Sequence, residues 1–261
     1  YVPNGAPWQP GCGGGVPWGA AMNIMPWEFY LHYGDKKILE DNYFAMKEQI
    51  RYMLTWLTPD STMLAQRANL NATQPNYWLN LGDWAPAFDI PSVELVHTFY
   101  LWRCADFTAK AARVMGLQDD ARYYSVLAGN VKKAFNKKFY NPETRSYGDF
   151  GSNIFALVLG VPDDRYDDVV ATLKHEISVK YDNHLNTGIF GTQFFFETLA
   201  LNGLNDIAYN AMNQEDFPSF GNWIKQGATV TWEKWNGADS RNHPMQESMS
   251  MPKDPHTNIS S

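Results

Sequence analysis

One carboxylate stands among indoles near the end of this chain, in Gly227-Ala228-Thr229-Val230-Thr231-Trp232-Glu233-Lys234-Trp235-Asn236-Gly237, and Asn242-His243-Pro244 follows shortly after. An acid held against tryptophan faces loses water, and such surroundings favour the neutral form unless donors or cations compensate. That is how a carboxyl group becomes useful as a general acid or base. The segment reads equally well as a surface Glu paired with Lys234. If the chain is extended here, Glu233 and Trp235 project to one side and Trp232 to the other. In a helix Trp232 and Trp235 would share a face instead. The extended or loop form is the expectation, which sets Trp235 beside the acid.

Composition narrows the chemistry. The 261 residues are 44% hydrophobic and 19% charged, enough for one sizeable core and short for two domains. A net charge of -7 provides no basic footprint, so neither nucleic acid nor an anionic membrane is an expected partner. Apolar runs such as Phe194-Phe195-Phe196 are too short to span a bilayer. Ten Trp, 14 Tyr and 15 Phe are a high aromatic share, and several lie in loops, as in clefts that cover the apolar face of a sugar. Cys12 and Cys104 fit no metal or redox spacing and read as free thiols, with one disulfide as the alternative. The chain opens at Tyr1 inside a Pro/Gly loop, which reads as the interior of a longer polypeptide.

The elements that would carry the acid are helical. Residues 1–20 read as loop, with Trp8 and Trp18 in it, and the glycines at 11 and 13–15 lack the flanks of a phosphate cradle. Ala21–Tyr33 is apolar almost all round and reads as a buried helix closed by Gly34-Asp35. Leu39, Tyr43, Met46, Ile50, Met53, Leu54 and Leu57 form one stripe, ending at Thr58-Pro59. A long aromatic loop over 60–90 contains Tyr77, Trp78 and Leu81-Gly82-Asp83-Trp84. Further helices are expected from Pro91 to Gly116, from Asp119 or Asp120 to Asn141, over 152–160 and 163–179, through Leu201, and from Ala208 to Met212. The acidic Asp163, Asp164, Asp167 and Asp168 suit a helix start better than a calcium cluster. Only Thr229-Val230-Thr231 is β-branched enough for a short strand. About seven helices in four hairpins, with long loops at one end, describe an all-α, incomplete (α/α)6 toroid with its site at one mouth.

Here the chain resembles the α-L-rhamnosidase family of inverting glycoside hydrolases, in its (α/α)6-barrel catalytic domain. The resemblance rests on motifs in order: Val16-Pro17-Trp18, Pro26-Trp27-Glu28-Phe29-Tyr30 with Tyr33-Gly34-Asp35, Gly82-Asp83-Trp84, Asn183-His184-Leu185-Asn186-Thr187-Gly188, Phe217-Pro218-Ser219-Phe220-Gly221, Gly227-Ala228-Thr229 through Trp232-Glu233-Lys234-Trp235, and Asn242-His243. It implies a partial catalytic domain over 1–245; residues 246–261, polar and with Pro252 and Pro255, depart from the family's helix and read as an unstructured tail. It implies hydrolysis of terminal α-L-rhamnosides without cofactor or metal, with Glu233 as the base that activates water. The family's general acid belongs to a motif ending Gly-Trp-Thr-Gly-Asp that has no counterpart in this sequence, so the segment by itself is expected to be close to inert. Missing barrel helices and accessory β-domains would be its other partners. Ala20 stands where the family has an acid. His243, Trp84, Asp83 and Trp18 are expected around the sugar: His243 because imidazole both donates and accepts, Trp84 as a platform, Asp83 as a hydroxyl ligand or turn cap, and Trp18 and Trp235 as walls. Trp27, Trp56 and Trp102 lie on helical stripes and read as core. A lyase or phosphorylase on the same toroid, or an inactive sugar-binding remnant, are the rival readings.

Overall fold

A computed structural model of the chain describes residues 15–65 and 81–236. These residues form ten α-helices: α1 (Val16–Gly19), α2 (Ala21–Tyr33), α3 (Lys37–Leu54), α4 (Val93–Met115), α5 (Gln118–Phe139), α6 (Phe150–Leu159), α7 (Asp163–His175), α8 (Ile189–Leu201), α9 (Asn205–Met212) and α10 (Phe220–Lys225). A π-helical turn, Glu176–Lys180, continues α7. Among the described residues there is no strand, only an isolated antiparallel bridge between Leu57 and Met63. Thr229-Val230-Thr231 is irregular, so the expected short strand is absent there. An isolated strand has no partner to satisfy its N–H and C=O groups. None of the described helices is long and apolar enough to cross a membrane.

Local chemistry sets the helix ends. Gly34 (φ +69°) and Gly116 (φ +79°) adopt the left-handed conformation that closes α2 and α4, which costs any residue with a Cβ. The Ser92 hydroxyl accepts from the Leu95 N–H and caps α4. α1 arises inside the expected loop because Pro17 fits a first turn, where its missing N–H is not needed. Together with α10, that short helix raises the helix count above the seven expected from periodicity.

The chain divides into two compact units. The first comprises the described residues of Tyr1–Gly82, Pro91–Asn141 and Leu159–Pro162. Its core gathers Trp27, Leu39, Tyr43, Met46, Phe107, Ala111, Ala112 and Ala121. Asn23 ties three helices together, donating to the Met46 carbonyl and the Thr108 hydroxyl at 2.9 Å each. α2 is not the buried helix its composition implies: Trp27 is covered, whereas Met25 and Tyr33 are 68% and 73% exposed. Phe29 and Leu31 are exposed with them, so part of its apolar surface faces outward. Trp56 is fully buried and Trp102 partly so. Cys104 is a free, buried thiol, and burial pushes its ionisation well above the usual range.

The second unit comprises the described residues of Asp83–Ile90, Pro142–Val158 and Asp163–Ser261. Phe150, Ile154, Phe155, Val169, Leu173, Ile177, Phe194, Phe195 and Leu199 are buried in it, with Phe150 against Phe195 at 5.7 Å and Phe155 against Phe194 at 6.0 Å. α8 and α9 pair within this unit across Asn202–Leu204. All the functional contacts described next lie in it.

Candidate active site

The segment bearing Glu233 hangs from α10. Ser219 caps that helix by accepting from the Asn222 N–H at 3.0 Å, and Gly227 (φ +85°) turns the chain away from it. The loop then folds back on Trp223. The Trp223 indole donates to the Trp235 carbonyl at 3.0 Å, and the Trp223 and Trp235 rings stack at 4.7 Å and 24°. Trp232 packs on the same Trp223 ring at 6.0 Å. The expected loop is therefore present, but Trp232 and Trp235 meet one partner rather than diverging as in a strand. The Trp235 indole in turn donates to the Thr187 carbonyl at 2.7 Å. Both indoles are buried with their N–H groups bonded, as polar groups in a core must be.

Glu233 is thus left half-buried at the edge of an aromatic cluster, and its direct partner is Trp84. The Trp84 indole donates to Glu233 Oε1 at 2.7 Å, across 149 positions of sequence. Lys234 places its ammonium 5.6 Å from the centre of the Trp84 ring. Glu233 Oε2 is buried and has no hydrogen-bonding partner among the described residues.

Trp84 is itself fixed by its neighbours. Ile189 donates its N–H to the Trp84 carbonyl at 2.8 Å. Asp83, 4% exposed, accepts three more backbone donors at the start of α8: Gly188 on Oδ2 at 2.8 Å, and Phe190 and Gly191 on Oδ1 at 2.9 and 3.1 Å. Burial pushes the Asp83 carboxyl up to about 6, while the three N–H groups pull the other way and Asp149 adds repulsion. Ala85, next in the chain, holds φ +59°, unusual for a residue with a Cβ.

A second polar cluster lies on the same unit. Burial pushes Glu176 up to about 7, although Asn153 donates to its Oε2 at 3.1 Å and Lys180 favours its charge. Asp149 is also raised by burial. Asp89 is lowered by bonds from Lys180 and Tyr181. Phe88 stacks on Tyr181 at 5.6 Å, and its N–H donates to Asn186 Oδ1 at 2.7 Å. Glu176 carries no signal in the sequence, because one Glu near a helix end resembles any solvated acid; only its burial sets it apart. Among the described residues no group of three or more His, Cys, Asp or Glu is placed to hold a metal ion.

The structure therefore brings together Glu233, Trp84, Asp83 and Trp235, three of them through the loop 187–191. Trp18 lies in α1, partly buried, in the other unit. His243 falls outside the described residues, as do Trp8, Tyr77, Trp78, Cys12 and the expected tail. Thr187 is the contributor that local reading missed, since a backbone carbonyl leaves no mark on residue type.

Comparison with known proteins identifies the family. The family model for the bacterial alpha-L-rhamnosidase 6 hairpin glycosidase domain matches residues 1–251. An alpha-L-rhamnosidase of Alteromonas sp. (strain LOR) is 30% identical over 234 residues, 84% of this chain and 24% of the relative. The alpha-L-rhamnosidase structure from Dictyoglumus thermophilum aligns over 92% of the chain and 25% of its own length, with a TM-score of 0.72 and 32% identity. That of Streptomyces avermitilis, solved in complex with L-rhamnose, aligns over 87% of this chain and 20% of its own, with a TM-score of 0.73 and 28% identity. The chain thus spans about a quarter of the length of the curated relatives it matches.

Proposed function

The chain belongs to the bacterial α-L-rhamnosidase six-hairpin glycosidase family, and from that premise we propose that it supplies the water-activating half of a site that hydrolyses terminal α-L-rhamnosides with inversion. Glu233 is the general base. One observation carries this reading. Its two carboxylate oxygens are unlike: Oε1 takes the Trp84 indole N–H at 2.7 Å, while Oε2 is buried and free of protein donors among the described residues. A carboxylate oxygen accepts more than one hydrogen bond, so Oε2 can take the proton of a water aimed at the anomeric carbon. The indole occupies one oxygen and leaves the other, Oε2, without a protein donor among the described residues.

In an inverting site the water and the leaving oxygen lie on opposite faces of the sugar, and the two carboxyl groups stand ~6.5–9.5 Å apart. As the C–O bond breaks, the leaving oxygen takes a proton from the acid, and the water loses one to Glu233 Oε2. The family motif that supplies the acid has no counterpart among these residues, so the second carboxyl is contributed from outside them. Trp84 also forms a wall for the rhamnose ring, and His243 and Trp18 are proposed as further contacts.

Glu233→Gln in the full-length protein tests the base. The glutamine oxygen still accepts from Trp84, but the amide in place of Oε2 cannot take a proton. Turnover of a nitrophenyl rhamnoside should fall by about 10²–10⁴-fold, the usual worth of one acid–base group, with rhamnose affinity by calorimetry nearly unchanged. A variant that kept most of its turnover would remove Glu233 from the role.

A further inference from the structure

Asp83 sits beside the tryptophan that touches the proposed base, yet its geometry differs from that of a sugar ligand. Its carboxylate faces backbone, with both oxygens occupied by the N–H groups of Gly188, Phe190 and Gly191. The space is closed to anything larger than hydrogen on two sides. A Cβ on Gly188 would lie 2.5 Å from Asp83 Oδ1, and one on Gly191 would lie 2.7 Å from Oδ2. The same few residues hold the rest of the site. Ile189, between Gly188 and Phe190, bonds the Trp84 carbonyl, and Thr187 accepts from Trp235. One short loop therefore anchors Trp84, which orients Glu233 Oε1, and Trp235, two residues after Glu233.

We infer that Asp83 is a positioning residue for water activation: its three backbone hydrogen bonds lock the start of α8 to the Asp83-Trp84 pair, and so hold the Trp84 indole N–H at the angle that orients Glu233. Asp83 touches neither sugar nor water. It acts through Trp84. The inference rests on Glu233 being the base.

Three donors converge on one carboxylate, and a carboxylate offers only lone pairs. Asparagine at this position keeps the shape but turns one of its two heads into a donor. Either the head facing Gly188 or the head facing Phe190 and Gly191 then meets N–H with N–H. The clasp loosens by one or two bonds, and the indole, held at its own backbone by the same loop, shifts with it. Misplacement of a catalytic contact by about 1 Å can cost about 10²-fold in rate.

A double-variant cycle in the full-length protein separates this role from others. Asp83→Asn should lower kcat about 10²-fold while leaving KM within a few-fold. Trp84→Phe removes the indole N–H and lowers kcat by itself. In the Trp84→Phe background, Asp83→Asn should then lower kcat by less than about threefold, because the route through the indole is already gone. Its effect on thermal stability should be equal in both backgrounds. A kcat effect of equal size in both backgrounds overturns the inference in favour of general structural damage. A large rise in KM with kcat retained overturns it in favour of a sugar ligand. If Asp83→Asn does not fold, Gly191→Ala displaces the same carboxylate from the other side and is read in the same cycle. Failure of both to fold makes Asp83 a folding residue and also overturns the assignment. Glu233→Gln is the separate control: a turnover-competent Glu233→Gln removes the proposed base, whereas an inert Glu233→Gln with additive Asp83 and Trp84 effects removes only the positioning role.

Discussion

Gly188→Ala should be among the most damaging single-methyl additions this chain can take. Gly188 has φ -80° and ψ -168°, an extended conformation open to any residue, so no backbone strain is involved. The effect comes from space alone. The added Cβ would fall against the Trp84 carbonyl oxygen, 2.5 Å from Asp83 Oδ1 and 2.7 Å from Asp83 Cγ. Ordinary contact lies near 3.5 Å, so the carboxylate must retreat by about 1 Å. Its bonds of 2.8–3.1 Å then stretch past the range of a hydrogen bond. Overpacking contributes ~1–3 kcal/mol, and losing one bond to a charged group adds ~1.5–3 kcal/mol. The sum, ~2.5–6 kcal/mol, is a large part of a typical domain's stability. Denaturant unfolding of the full-length protein measures it, with Gly129→Ala as the reference. Gly129 lies within α5 with nothing within 4 Å of its would-be Cβ. That substitution should stabilise by ~0.5–1 kcal/mol through helix propensity. If Gly188→Ala lay within 1 kcal/mol of the parent, the packing of Asp83 against this loop would be refuted.

Other outcomes follow from the same contacts. Burial raises Glu176 to about 7 from 4.5, so the stability its neutral form contributes is whole below about pH 4.5 and is lost as pH rises through about 7. At 1.36 kcal/mol per pKa unit, discounted for its partial exposure, Glu176→Gln should gain ~1–2 kcal/mol at pH 8 and nothing at pH 4. Unfolding curves at the two pH values check this, and a pH-independent difference would exclude it. Trp235→Phe leaves the Thr187 carbonyl without its donor while keeping a smaller ring against Trp223. Leaving one buried group unpaired costs ~1–3 kcal/mol, measurable by the same unfolding experiment; an unchanged midpoint would mean that the indole is not a strut.

Much of the scaffold was legible because its signals are local. Gly34 and Gly116 mark helix ends by a conformation that Cβ atoms resist, and the stripe Leu39, Tyr43, Met46, Ile50 and Met53 is buried as its spacing implies. Glu233 stood out by its company of tryptophans. Its actual partner did not, since Trp84 lies 149 positions away and a long-range bond leaves no period in the chain. A separation of 105–108 positions also hides Asp83, whose type suits a sugar ligand and a turn cap equally well; only the three N–H groups beyond position 187 show what it holds. Likewise α2 is apolar all round, and periodicity cannot say which of its faces has neighbours. Met25 and Tyr33 are exposed.

His97 joins two distant points of the first unit with a single ring. Fully buried in α4, it places Nδ1 2.9 Å from the Leu64 carbonyl and Nε2 3.0 Å from the Leu81 carbonyl. Both neighbours are acceptors, so bonding both takes the doubly protonated ring, while burial lowers its pKa. In terms of chain entropy, the doubly protonated ring is a clasp that ties Leu64 to Leu81, whereas the neutral ring, donating from one nitrogen, holds only one of them. Closure between Leu64 and Leu81 therefore depends on the protonation of one buried ring.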